Sequence, residues 1–305
     1  MAGARIAAVT HARKDDYFLQ LWLDHYGAEL GHENCFVLLD GADWTPEVDW
    51  RDATALVLDR PRAAMHRIRV DRRMARQQIE LIDRLLLSEG YDFVFRGDCD
   101  EYVLPDPERA ASLADVAWEA EATGFVYSLG IDVIHNPRLE PPADLSRDLL
   151  SQRGHGLVYQ SYCKVNLLSR KAREVGITFN AGGHRASGAG VPVAETFVMA
   201  HLGWADRDLV RTRIAPRYVE DRELSFTEYL DARLAIFDHM AGLKEFADFD
   251  EICPLVKEDL STQGGAPAVR TQHLRRGNTD WGGQTAWAVR LPKRFALSGR
   301  GRSQG

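Results

Sequence analysis

The stretch Phe93-Val94-Phe95-Arg96-Gly97-Asp98-Cys99-Asp100-Glu101-Tyr102 runs a short apolar, strand-like segment directly into three carboxylates within four residues. Carboxylates this close repel one another unless a cation or an arginine holds them. A strand end that presents oxygen ligands suits Mg²⁺ or Mn²⁺ bound together with a phosphate, and a nucleotide diphosphate is the cargo such a site fits. The competing reading is a solvated turn with a helix N-cap, which Pro105 and Pro107 would support. Position favours the first: the acids follow an amphipathic helix and an apolar strand, so they lie where open α/β sheets place ligands, at the carboxyl ends of strands.

Departure of a diphosphate creates negative charge, and a divalent ion fixed by Asp100 with help from Asp98 neutralises it without a proton transfer. Two acids on one loop need further ligands, and His201 and His184 are the histidines best placed. His201 follows the apolar run 196–200 and reads as a strand-end residue, with a core or capping histidine as its competing role. His184, inside Gly182-Gly183-His184-Arg185, reads as part of a lid over donor or acceptor. Glu101 either ligates or orients, or pairs with a nearby arginine. Arg72, Arg73 and Arg76 precede the motif on a helix and could reach a diphosphate, although a solvated face accounts for at least two of them. Trp204, beside His201, could stack on a sugar ring, whereas Trp22 reads as core. Asp132, Glu195 and Asp206 stay open as candidate catalytic bases, since each follows an apolar segment that could line the acceptor side.

These residues need a scaffold, and the hydrophobic pattern outlines one. Residues 5–10 read as a buried strand, Asp15-Asp16 open a helix carrying Leu19, Leu23, Tyr26 and Leu30, and Gly31 ends it. Residues 35–40 and 55–59 read as strands, the first closed by Asp40-Gly41. Residues 63–88 lack Gly and Pro and carry the stripe Ala75, Ile79, Ile82 and Leu86, so they read as a long helix stopped by Gly90. After the acids come a helix at 108–122 and strands at 125–129, 162–168 and 196–200, with 137–154 as a surface loop. Such alternation implies an α/β fold with a mainly parallel sheet and helices on both faces. Residues 1–205 then form the catalytic domain, 206–260 a helical extension, and 261–305 a Gly-rich, basic, flexible tail.

Composition excludes several classes. The chain has 305 residues, 45% hydrophobic, enough for one large core, and a formal net charge of -7 argues against a nucleic-acid surface. Only six residues are lysine, an Arg-rich balance that suits forked phosphate recognition or simply reflects base composition. Cys35, Cys99, Cys163 and Cys253 form no C-x-x-C pair, which disfavours a structural zinc or a disulfide framework and fits a reducing cytoplasm. No signal peptide or long apolar span is read. Arg290, Lys293, Arg294, Arg300 and Arg302 near the end would allow peripheral contact with an anionic membrane, with a solvated end as the plainer alternative.

Three segments, in order, resemble bacterial glycosyltransferase family 2, in particular its branch with an extended D-x-D-E motif. Residues 10–19 followed by Trp22-Leu23-Asp24-His25-Tyr26 resemble that branch's opening charged cluster and helix. Val37-Leu38-Leu39-Asp40-Gly41 is similar to its second strand, and Asp98-Cys99-Asp100-Glu101 to its metal motif. The resemblance spans about the first two thirds of the chain. It implies a GT-A fold that moves a sugar from a nucleotide-diphosphate donor to a glycan or lipid-linked acceptor, usually with Mn²⁺ or Mg²⁺ and with inversion. Carried over singly, Thr10 and Arg13 would lie at the nucleotide, Asp40 would accept from the base, Asp98 would face ribose and metal, and Asp100 would be the main ligand. His201-Leu202-Gly203-Trp204 loosely resembles the histidine loop of several GT-A enzymes. One departure stands out: Gly41-Ala42-Asp43 replaces the family's common Asn-Gly-Ser.

Two other classes compete. A nucleotidyltransferase would share metal chemistry but usually shows a Gly-rich loop after the first strand, and residues 10–16 contain no glycine. A sugar- or partner-binding protein that kept the fold and lost turnover would not need Asp98 and Asp100 intact.

Overall fold

The computed structural model describes residues 3–58, 67–158, 163–174, 192–215, 225–262, 278–281, 284–295 and 297. Its first sheet has the order β3-β2-β1-β4-β9-β6, built from β1 (Ile6–Ala12), β2 (Cys35–Asp40), β3 (Thr54–Leu58), β4 (Phe93–Arg96), β6 (Phe125–Ser128) and β9 (Lys164–Ser169). Strands β3, β2, β1 and β4 run parallel, while β9 and β6 add antiparallel pairs. Side chains alternate across β1, and both faces are covered. Ala8 and Ala12 pack with Phe18, Leu19 and Trp22 of α1 (Asp16–Leu30), whereas Ala7 and Val9 pack with Leu81, Ile82 and Leu85 of α2 (Arg67–Leu87). Double burial explains the near-continuous apolar runs in β1, β2 and β4. At Gly31 (φ 88°) and Gly41 (φ 103°) the chain takes the left-handed turns that end α1 and β2.

A second sheet, not anticipated from the pattern, has the order β11-β13-β8-β7-β10-β5, with β12 also on β13. It comprises β5 (Glu101–Pro105), β7 (Gly130–Ile134), β8 (His155–Val158), β10 (Phe197–Trp204), β11 (Ala247–Asp248), β12 (Asn278–Trp281) and β13 (Gln284–Arg290). The chain therefore leaves the first sheet at β4 and enters the second at β5, and the acidic residues form the link. One apolar core runs between the sheets, from Phe18 and Phe95 to Tyr102, Phe197 and Trp287. The overall architecture is a mixed α/β fold of two sheets and their covering helices.

Several boundaries differ from the expected ones. The helix expected over 108–122 is a short α3 (Leu113–Ala117), because the Ser112 hydroxyl caps it by accepting from the Asp115 amide, and one 3₁₀ turn follows. Another short helix, α4 (Lys171–Glu174), follows β9. The strand expected at 196–200 continues to Trp204, so His201 lies inside β10 rather than at its end. The 137–154 loop is partly interior, with Arg153 buried. The C-terminal region contains the expected helices α5 (Arg207–Ile214), α6 (Phe226–Gly242) and α7 (Phe249–Thr262). Within 261–305, however, β13 is a sheet strand with Ala286, Trp287, Ala288 and Val289 buried, not a solvated tail. Arg294 is likewise engaged by Asp106 and Asp250 rather than offered to a membrane. No helix among the described residues is long and apolar enough to cross a membrane.

Candidate functional site

The acidic loop is held from behind. Thr10 of β1 and Gln78 of α2 donate to the Gly97 carbonyl at 3.2 and 3.1 Å, and Asn166 of β9 donates to the Arg96 carbonyl at 2.8 Å. Arg96 is itself buried, its guanidinium donating to the Gln78 amide oxygen and the Val165 carbonyl. Thr10 therefore supports the loop from beneath, and Arg96 places a permanent cation under it.

The three acids face different partners. Asp98 has the most exposed side chain (43%) and lies 3.7 Å from His11 Nδ1 and 4.0 Å from Lys164 Nζ. Burial works against its charge, yet Lys164 and His11 hold its carboxyl below the usual range. Glu101 is buried. It pairs with Lys164 through one oxygen and accepts the Asp98 amide with the other at 3.0 Å, so it braces the loop. Burial and the adjacent Asp98 push its carboxyl up. Asp100 accepts from Arg213 Nη2 of α5 at 2.6 Å and lies 3.5 Å from His201 Nε2. Although burial opposes ionisation, His201 and Arg213 hold its carboxyl far below the ordinary range. Burial and Asp100 raise the Cys99 thiol well above its usual value, which leaves it un-ionised at neutral pH.

Arg213 ties the second sheet's helix to the first domain helix. It donates through Nε and Nη2 to Asp15, through Nη1 to the Gly203 carbonyl at 3.1 Å, and stacks 4.2 Å over Phe18. Asp15 precedes α1, as expected, but its side chain does not cap that helix. It serves the ion-pair chain instead. On β10, His201 Nδ1 is 2.7 Å from Asp132 Oδ1, and Trp204 meets the His201 ring edge-on with centroids 6.4 Å apart. Trp204 is half-buried, with Arg233 of α6 stacked at 5.6 Å, and Trp22 is core.

Across the edge of the first sheet, Asp40 is buried at the end of β2, and its carbonyl accepts from Arg13. Arg13 also forks onto Asp43 at 3.0 and 3.1 Å, and Lys14 joins Asp43 at 3.3 Å. The atypical Asp43 thus anchors both cations, and Arg13 holds its carboxyl well below the carboxylate range.

The remaining candidates are placed elsewhere. Asp206 accepts from the Asp208, Leu209 and Ala143 amides and from Arg153. Glu195 is exposed in the bend that precedes β10, at the end of that strand away from Trp204. Arg76 is exposed on α2. His184 and the side chains of Arg72 and Arg73 lie outside the described residues.

The structure therefore brings Asp98, Asp100, His201 and Asp132 together, with Thr10 beneath and Arg13 and Asp40 along the edge. Arg213, Lys164 and Asp15 are functional neighbours that sequence reasoning missed. Lys164 left one signal, a lone lysine inside an apolar strand; Arg213 left none, being one of several arginines on a charged helix. Among the described residues no three His, Cys, Asp or Glu side chains enclose a metal. A cation there would have to share Asp100 Oδ2 with Arg213, which holds it at 2.6 Å. Asp100 and His201 offer oxygen and nitrogen, and Gly203 has no side chain to fill the space between them. Mg²⁺ and Mn²⁺ sites of this kind take their other ligands from water and substrate phosphate.

No known family and no curated protein matches the chain in sequence. Among solved structures, S. aureus TarS (residues 1–349) is similar over 77% of this chain and 71% of its own, at 10% identity and TM-score 0.31. A mannose-1-phosphate geranyltransferase from Thermus thermophilus is similar over 78% and 68%, at 15% identity and TM-score 0.28. A Bacillus anthracis protein described as a glucose-1-phosphate thymidylyltransferase, with sucrose bound, is similar over 75% and 83%, at 9% identity and TM-score 0.25. Likeness this distant carries nothing about activity, which must be read from the side chains.

Proposed function

We propose that the protein is a glycosyltransferase that moves a sugar from a nucleotide-diphosphate donor to a glycan or lipid-linked acceptor, with inversion and with Mn²⁺ or Mg²⁺. The observation that supports this is the placement of Asp100: it lies in the link that follows the parallel strand β4, between the two sheets, and faces His201 of the second. Ligands in parallel α/β folds bind at that edge. Asp100, Asp98 and His201 would hold the cation, which when bound supplies positive charge to a departing diphosphate. Arg13 and Asp40 flank the same edge, where a nucleoside would lie. Lys164 and His11 hold Asp98 ionised, and His201 and Arg213 hold Asp100 ionised, so these two aspartates need no deprotonation to bind. Trp204, half-buried beside His201, would be the aromatic ring nearest an acceptor sugar.

A thermal-shift screen of nucleotide sugars with and without Mn²⁺ tests this reading. We expect a Mn²⁺-dependent rise in melting temperature with one nucleotide class, absent in Asp100→Asn, and release of nucleoside diphosphate when acceptor is added. No stabilisation by any nucleotide sugar would overturn it, and stabilisation without turnover would make the protein a binder of the same fold.

A further inference from the structure

Among the described residues, half-buried arginines hold carboxylates, with one exception. Arg13 holds Asp43, Arg173 holds Asp83, Arg207 faces Asp238, Arg213 joins Asp15 to Asp100, and Arg294 joins Asp106 to Asp250. Arg233 of α6 is half-buried too, and no carboxylate or carbonyl among the described residues engages it. Its guanidinium lies over two rings instead, 5.6 Å from the centroid of Trp204 and 5.3 Å from that of Tyr229, one helical turn earlier. Withdrawing a cation from water costs free energy that ring faces only partly offset. The acids of its own helix do not supply the rest. Glu228 closes the capping box with Ser225, Asp238 faces Arg207, and exposed Asp231 lies two residues away, off the face that Arg233 occupies.

The rings also decide what this cation can do. They meet the flat faces of a guanidinium and leave its N–H donors, which lie in its plane, to an acceptor in that plane. Trp204 in turn meets the His201 ring edge-on at 6.4 Å, so Arg233 stands one ring away from the histidine that faces the acidic loop, on the side of the second sheet. The cations at the edge of the first sheet, Arg13 and Lys14, are both committed to Asp43. Arg233 is therefore a separate and uncommitted charge. Phosphate suits it better than carboxylate does, because it brings more charge and more acceptor oxygens to one forked donor. Two turns before Arg233, on the same side of α6, Phe226 is 37% exposed.

We propose that Arg233, framed by Trp204 and Tyr229, selects the acceptor, and that the acceptor is a saccharide carrying a phosphate, either free or lipid-linked. The rings fix the plane of the guanidinium, the guanidinium forks onto the phosphate, and the phosphate sets which hydroxyl of the sugar reaches the site. A lipid chain beyond the phosphate would run along α6 toward Phe226. The word acceptor rests on the transferase reading; the phosphate contact rests on Arg233 and its two rings alone.

NMR of arginine-labelled protein, with the Nε–H signal of Arg233 assigned through Arg233→Lys, reads the contact directly. Glucose 1-phosphate, octyl phosphate, glucuronate and methyl glucoside serve as probes of a sugar phosphate, a lipid phosphate, a carboxylate and a neutral sugar. We expect the Arg233 signal to shift with either phosphate and to stay in place with methyl glucoside. Tighter binding of octyl phosphate than of glucose 1-phosphate assigns the lipid-linked source, and the reverse order assigns the free one. In transfer assays that follow release of nucleoside diphosphate, Arg233→Gln should raise KM for phosphate-bearing acceptors on the order of tenfold or more, with partial recovery in Arg233→Lys and no change in KM for the nucleotide sugar. An Arg233 signal unmoved by both phosphates, or moved as strongly by glucuronate, would overturn the proposal. So would an acceptor KM in Arg233→Gln within about twofold of the unaltered protein, which would make Arg233 a packing residue of α6. If Arg233→Gln does not fold, the spectrum of the unaltered protein decides. A phosphate-dependent shift of Arg233 without stabilisation by any nucleotide sugar would sustain the phosphate site and remove only the transferase reading.

Discussion

Two buried polar clusters in this molecule use the same residue types and do opposite things. Around β7 and β8, Glu140 accepts from the Asn136 and Gly154 amides and from His155, while Asp206 accepts from three amides and Arg153. There the carboxylates are consumed by backbone donors, which cannot leave without unfolding. At the acidic loop, the carboxylates of Asp98 and Asp100 meet Lys164, His11, Arg213 and His201, all side chains. Side-chain partners can exchange for a metal or a phosphate at little cost to the backbone. The partner, more than the acid, separates a latch from a site.

The sharpest way to break this contrast is to neutralise one acid from each cluster. Asp100→Asn should lower transfer at least a thousandfold, about 4 kcal/mol of transition-state stabilisation, with a melting temperature near that of the unaltered protein. Asp206→Ala should do the reverse. It removes an N-cap and strands the buried Arg153, so urea denaturation should show a loss of about 3 kcal/mol while Mn²⁺ affinity stays constant.

His25 extends the contrast to histidines. It lies buried on α1 with its ring against the Val103 carbonyl at 3.0 Å, and burial lowers its pKa to about 4. The unfolded chain takes up a proton near pH 6.5 that the folded one refuses until about pH 4. Stability should therefore fall as pH drops through that interval, by about 3 kcal/mol in all. Denaturation curves at several pH values should show this slope, and His25→Gln should flatten it.

The smallest expected effect concerns the nucleoside edge. Asp40→Ala should weaken nucleoside diphosphate and nucleotide sugar by about the same factor, on the order of tenfold or about 1.4 kcal/mol. Calorimetry that found only the sugar-dependent part altered would move Asp40 to the sugar pocket.

The parallel half of the fold was legible because each element there is a local pattern bounded by its own stop, such as Gly31 after α1 or Gly90 after α2. The position of the acidic loop directly after β4 was legible for the same reason. The second sheet was not, since β5, β7, β8, β10 and β13 are short and acquire their partners from distant segments; pairing is a property of two strands. Glu101 illustrates the limit. Its type and spacing matched a ligand motif, yet its role was decided by Lys164, far along the chain on β9. Asp132 shows the converse: expected after a strand, it lies inside β7, fully buried, opposite His201 of β10, a partner no local pattern announces.

The late strand β13 bears on synthesis. It closes against β8, so a growing chain that has released Val158 must wait until Gln284–Arg290 emerges before that edge is covered. At typical elongation rates the wait is on the order of ten seconds. During that interval β8 presents an open edge with apolar Leu157 and Val158, the kind of surface on which nascent chains associate and chaperones act.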